Sequence, residues 1–258
     1  MNDERVVEDI VTKFLVDTCR LRPQLTRPAI EAALQSATLA TVIQTDGEVD
    51  YKNPMTTGSV AEFYIEPMLP HVGDVDVMFH LSTVLAIPRG HPPPTQLPAE
   101  FHDYVQVYEI IDSHLHGYVY LKLCYLLREC IDDGNYNAVE CDEQLIKLMS
   151  NRYYNDGNAG DIHGPALYLV CQGTQLPTDC VFCVRCLVWP SQAADWPTRP
   201  RNCGWPDSAT VDRVVGNGCD LVGVAHRQCR EHEWMGERQW RLSFSRAEIV
   251  LILSLIHI

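Results

Sequence analysis

Apolar positions recur with two different spacings, and the change from one to the other divides the chain. Between residues 3 and 20, Val6, Val7, Ile10, Val11, Phe14, Leu15 and Cys19 fall three and four apart, which makes one apolar face of a helix. Arg22-Pro23 ends it. Thr26 followed by Pro28 reads as an N-cap and a first-turn proline, so a second helix is expected from 28 to about 39. Residues 46–54 are polar and turn-rich. After them the period shortens. Residues 72–81, 104–111, 118–127, 165–171, 178–188 and 221–226 read as strands, the second and third forming an antiparallel pair around the turn at 113–117. Helical spacing returns at 142–151 through Leu145, Ile146, Leu148 and Met149. It returns again at 208–215, capped by Asp207 or Ser208, and from Arg246 onward. Ser59 to Tyr64 opens a short helix that Pro67 and Pro70 break. Residues 87–98, 132–135 and 155–164 are loops and turns rich in Pro, Gly, Asp and Asn.

Composition narrows this mixed α/β (α+β) reading. With 258 residues, 46% hydrophobic and 21% charged, the chain suits one large domain or one and a half small ones. Its N-terminus runs straight into an amphipathic stretch rather than a signal peptide. Its longest apolar run, 249–258, is about half of the roughly 20 residues that span a bilayer. A cytoplasmic or nuclear location without membrane contact is therefore expected, with the cytoplasm preferred. Eleven cysteines, an odd number with several in apolar runs (Cys124, Cys171, Cys180, Cys183), suggest buried thiols and not a disulfide scaffold. The net charge of −14 argues against broad nucleic-acid binding, which needs a basic face. The arginines are nonetheless unevenly placed: Arg199, Arg201, Arg213, Arg227, Arg230, Arg238, Arg241 and Arg246 all lie in the last quarter.

The chemistry concentrates in Thr57-Gly58-Ser59 and in Asp74-Val75-Asp76, which opens an apolar run. Period two puts Asp74 and Asp76 on one side of a strand. Adjacent carboxylates repel, and a hard divalent cation relieves the repulsion. A Gly-Ser turn offers backbone N–H groups and a hydroxyl to a phosphate chain. Together these point to metal-dependent phosphoryl or nucleotidyl transfer, although isolated Asp-x-Asp pairs are more often plain solvated acids. Such a site needs a third carboxylate from a neighbouring strand. Asp179, at the start of the apolar run Cys180-Val181-Phe182-Cys183-Val184, is the candidate. Cys180, Cys183 and Cys186 sit three apart in a strand, so they alternate faces and cannot share one ion. His226, Cys229 and His232 have metal-like spacing in a charged loop, with little else to support a site.

These residues resemble the nucleotidyltransferase half of cyclic GMP–AMP synthase and the wider male-abnormal-twenty-one (Mab) family. The resemblance rests on Thr57-Gly58-Ser59, Asp74-Val75-Asp76-Val77-Met78-Phe79, Gly164-Pro165-Ala166 and Asp179. It also rests on Trp189-Pro190, Trp196, Arg199-Pro200-Arg201, Gly204-Trp205-Pro206 and Trp240-Arg241-Leu242-Ser243-Phe244-Ser245. It implies a nucleotidyltransferase fold: a twisted mixed sheet (46–245) braced by N-terminal helices (1–45), with 246–258 the start of a C-terminal helical lobe that is otherwise truncated. It implies Asp74, Asp76 and Asp179 as catalytic ligands of Mg2+ or Mn2+. It further implies Gly58 and Ser59 on the donor triphosphate, Thr57 and Arg241 on the acceptor base, and Glu248 on the nucleotide or its metal. The substrates would be ATP and GTP or other nucleotides, the product a cyclic dinucleotide in innate immune signalling, and an activating ligand of unidentified type would switch it on. Three readings stay open: that enzyme, a non-catalytic family member acting by binding in development or signalling, and an RNA-terminal nucleotidyltransferase. Without the lobe, these 258 residues alone are expected to show little or no activity, and the face from 244 to 252 to be exposed and prone to aggregation.

Overall fold

The computed structural model describes Lys13 and residues 51–58, 75–141, 147–151, 162–163, 166–170, 177–201, 204–229 and 233–256. The N-terminal helices (apart from Lys13, which is helical), the helix expected after Ser59, and Ser59 and Asp74 themselves fall outside them.

Among the described residues, ten strands and three α-helices have defined bounds. The strands are β1 (Tyr51–Thr57), β2 (Val75–Ile87), β3 (Tyr104–Asp112), β4 (Tyr118–Glu129), β5 (Tyr136–Glu140), β6 (Ile162–His163), β7 (Ala166–Val170), β8 (Pro177–Cys186), β9 (Cys219–Val222) and β10 (Gln239–Ser243). The helices are α1 (Ser208–Gly216), α2 (Glu233–Gly236) and α3 (Ser245–Ile256). The sheet runs β1-β2-β3-β4-β10-β9-β8-β7-β6, with β5 on β4, and β2 also pairs with β8. That last pairing closes β2, β3, β4, β10, β9 and β8 into a ring. β2 is parallel to β3 and β8, and all other pairings are antiparallel. Each strand of the ring contributes to one buried cluster through Leu81, Ile110, Leu121, Trp240, Leu221 and Val184. Trp240 is wholly buried there, and its Nε1 donates to the Met149 carbonyl at 3.3 Å.

The expected antiparallel pair is β3 and β4, and the expected helix 208–215 is α1. Its cap is Asp207, whose side chain accepts from the Thr210 N–H. Other elements differ for identifiable reasons. β1 covers part of the stretch read as turns. It lies at the end of the strand path and is irregular between Lys52 and Met55, where Pro54 is tolerated. β2 runs on to Ile87, past the polar Ser82, because its register against β8 shifts between His80 and Leu85 and Ser82 is buried. Of the helix expected at 142–151, residues 147–150 are instead non-helical and lie beside β4, bridged to it at Leu148. Leu123 donates to the Lys147 carbonyl and Met149 to that of Leu121, and Met149 enters the ring cluster. β5 gave no apolar alternation because four of its five residues are exposed. β9 starts earlier than expected because Gly218 ends α1 in the left-handed region (φ +63°). A β-carbon there would sit 2.1 Å from the Cys186 carbonyl oxygen. The eight described cysteines are all free. Cys186 faces the ring cluster, while Cys183 packs with Met78 and Val222 in another, as alternation requires. Among the described residues no helix is long and apolar enough to cross a membrane.

Candidate functional site

Strand register lines up four chemically notable side chains. Thr57 on β1 is opposite Asp76 on β2, Asp76 is opposite Asp179 on β8, and Asp179 is opposite Tyr168 on β7. Directly paired residues share a sheet face, and adjacent strands lie about 4.8 Å apart. The chain thus places two carboxylates side by side from segments a hundred residues apart in sequence. Thr57 is buried; Asp76, Asp179 and Tyr168 are half-buried. Gly58 follows with φ +64°, and a β-carbon on it would lie 2.0 Å from Asp76 Oδ2. The turn therefore lays bare backbone against the carboxylate, which only glycine permits. An all-oxygen pair pressed together beside an open backbone suits a hard divalent cation carrying a phosphate.

The other expected residues are less gathered. Arg241 is exposed on β10, opposite Val222, which is opposite Cys183, which is opposite His80. That row lies on the same face as Asp76 but four residues along β2, roughly 13 Å at the usual strand rise. Glu248 is exposed in the first turn of α3, a helix that packs on β1, β9 and α1. Sequence reading overlooked Tyr168, although period two through β7 from Ala166 would have found it.

It also overlooked a buried charge network on the same face. Asp220 on β9 is wholly buried. It accepts from His80 Nε2 at 2.9 Å and from Arg185 Nη1 at 3.3 Å, and its Oδ2 lies 3.5 Å from Arg246 Nε on α3. Arg185 also donates to the carbonyls of Cys219 (3.0 Å) and Asn217. Burial pushes the Asp220 carboxyl up, but the His80 hydrogen bond and the charges of His80, Arg185 and Arg246 outweigh it and hold it below the usual carboxylate range. The signal was available: an acid inside the apolar run Cys219-Asp220-Leu221-Val222 must be paired.

His80, Cys183 and Asp220 offer ligand atoms within 4.8 Å of one another, the geometry of a possible metal cluster. The charges around them are wrong for it. Burial, then Asp220, drives the Cys183 thiol well above its ordinary range, and a dication would sit beside two guanidiniums that already neutralise Asp220. Among the described residues His226 and Cys229 join no such cluster, and His232 lies outside them.

The tryptophan-rich run packs on α3 and the loop before it. Trp189 packs at a tilt against Phe244 (centroids 5.2 Å apart) and Trp196 (5.5 Å), and Arg201 lies over Trp196 at 4.9 Å. Trp205 Nε1 donates to Ser254 Oγ at 3.0 Å. The expectation that residues 244–252 stand exposed is corrected accordingly. Phe244 and residues 249–252 are half-buried, Ala247 is buried, and Glu248 is the exposed member.

The family model of the Mab-21 protein nucleotidyltransferase domain matches residues 136–254. That stretch holds Asp179, Tyr168, Asp220, Arg241 and Glu248, whereas Gly58 and Asp76 precede it. No curated protein matches the chain.

Proposed function

We propose, for a chain whose residues 136–254 match the model of the Mab-21 protein nucleotidyltransferase domain, a metal-dependent enzyme that joins ATP and GTP, or related nucleotides, into a cyclic dinucleotide used in innate immune signalling. The observation that supports it is the Asp76–Asp179 pairing with Gly58 against the Asp76 carboxylate. In this reading Asp76, Asp179 and Asp74 hold Mg2+ or Mn2+. When bound, the ions supply Lewis-acid activation of a ribose hydroxyl and of the pyrophosphate leaving group. The chain does the rest by placement. The backbone of Gly58 and Ser59 cradles the donor triphosphate, Thr57 borders the acceptor, and Arg241 and Glu248 approach the nucleotide from β10 and α3. Tyr168, beside Asp179, orients that carboxylate. An activating ligand would bring the more distant Arg241 into play. That separation also favours a second reading, a non-catalytic family member that binds nucleotide or protein.

Turnover decides between them. The protein with Mn2+ or Mg2+ and labelled ATP and GTP should yield a new chromatographic product. Asp76→Asn should lower its rate by about a thousandfold, as loss of several kcal/mol of charge stabilisation implies. No product with any nucleotide, across candidate activating ligands, leaves the binding protein as the reading that stands.

A further inference from the structure

Asp220 joins three other elements to its own strand. His80 comes from β2, Arg185 from β8 and Arg246 from α3, while Asp220 itself is on β9. Arg185 is tied down by two further carbonyls, one on β9 and one at the C-cap of α1, so its guanidinium is anchored on both. Arg246 is different. It is the second residue of α3, its side chain is 28% exposed, and its Nη2 lies 3.1 Å from the His80 ring. Its Nε and Asp220 Oδ2 are both buried and 3.5 Å apart without a proper hydrogen bond. Beside it is a cavity of about 80 Å3, bounded by His80, Ser82, Glu100, Phe101, Arg185 and Arg246. The pair therefore joins a fixed sheet carboxylate to a helix cation with space around it.

We propose that Asp220 is a positioning residue for the nucleotide site, acting through Arg246 to fix the start of α3 on the strands that carry Asp76 and Asp179. This rests on the nucleotidyl-transfer reading for its consequence, but not for its mechanics. β2 and β8 each carry one acid of the pair and one partner of Asp220, on the same face: Asp76 and His80 on β2, Asp179 and Arg185 on β8. α3 packs on β1, whose last residue, Thr57, adjoins Gly58. The Arg246–Asp220 contact favours one register of the helix on the sheet, because any other placement would take the buried Arg246 Nε away from Asp220 Oδ2, although Asp220 would keep His80 and Arg185. Glu248, one half-turn on, is then held on a fixed bearing.

Arg246→Gln tests this without emptying the core, since Asp220 keeps His80 and Arg185. Amide hydrogen exchange should quicken about tenfold over residues 247–252 and stay unchanged in β2 and β8, in line with the loss of one coupled charge pair. The affinity for a non-hydrolysable ATP analogue should fall by a similar factor while Mn2+ affinity holds, and Arg246→Lys should recover part of both. Unchanged exchange in α3 overturns the proposal, as does faster exchange with undiminished analogue affinity. If the wild-type protein binds no analogue yet α3 exchange responds, the latch stands and the enzyme reading falls. Stoichiometric Zn2+ that raises the melting temperature of the wild type, and not of Cys183→Ser, would make the cluster a metal centre and overturn the latch.

Discussion

Gly58→Ala is expected to lower nucleotide transfer by at least about a hundredfold while the protein still folds. Two costs arise from one methyl group. The residue sits at φ +64°, where a side chain costs about 1–2 kcal/mol. The new carbon would also lie 2.0 Å from Asp76 Oδ2 and 2.9 Å from the carboxyl carbon, so Asp76 or the turn must move by an ångström or more. The strain alone would lower the melting temperature by only a few degrees, roughly 2–8 °C for a chain of this size. The displacement acts on the carboxylate paired with Asp179, and a misplacement of about 1 Å can cost a hundredfold in rate. Rate and melting temperature measured on the same sample separate the two. Near-normal turnover in Gly58→Ala would mean that Asp76 does not act from the position described.

Trp240→Ala carries the largest expected loss of stability, about 3–5 kcal/mol. Trp240 is wholly buried in a cluster to which six strands contribute, so the hole it leaves is lined by a closed ring that cannot collapse without breaking pairings. The Met149 carbonyl also loses its indole donor. Trp240→Phe should cost appreciably less, since it keeps most of the volume. Urea unfolding with an unchanged slope would measure both. A loss below about 1 kcal/mol for the alanine variant would contradict a closed, well-packed ring.

What could be read beforehand depended on whether a signal was local. The alternation of β3, β4, β7 and β8 and the Asp207 cap are local, and the structure shows each near its expected place. Asp76 and Asp179 each stand in a readable strand, but that they face one another depends on the parallel β2–β8 register, which no short stretch encodes. Ring closure is non-local for the same reason. Leu145, Ile146, Leu148 and Met149 satisfy a helical period, yet residues 147–150 are non-helical and bridge β4 at Leu148, where Met149 gains a place in the core. Asp220 carried a strong local signal of a buried, paired acid, but its partners come from β2, β8 and α3 and could not be named from spacing. The reading of residues 244–252 as exposed overlooked that the tryptophan run itself supplies the cover, through Trp189 on Phe244.

The central claim is that Asp76 and Asp179 together form one divalent-cation site. Calorimetric or paramagnetic titration of Mn2+ into the wild-type protein, Asp76→Asn, Asp179→Asn and the double variant tests it without relying on turnover. The account predicts saturable binding by the wild type, a loss of at least about tenfold in each single variant, and little further loss in the double variant, because the two side chains act on one ion. Equal Mn2+ affinity in the wild type and both single variants would contradict it.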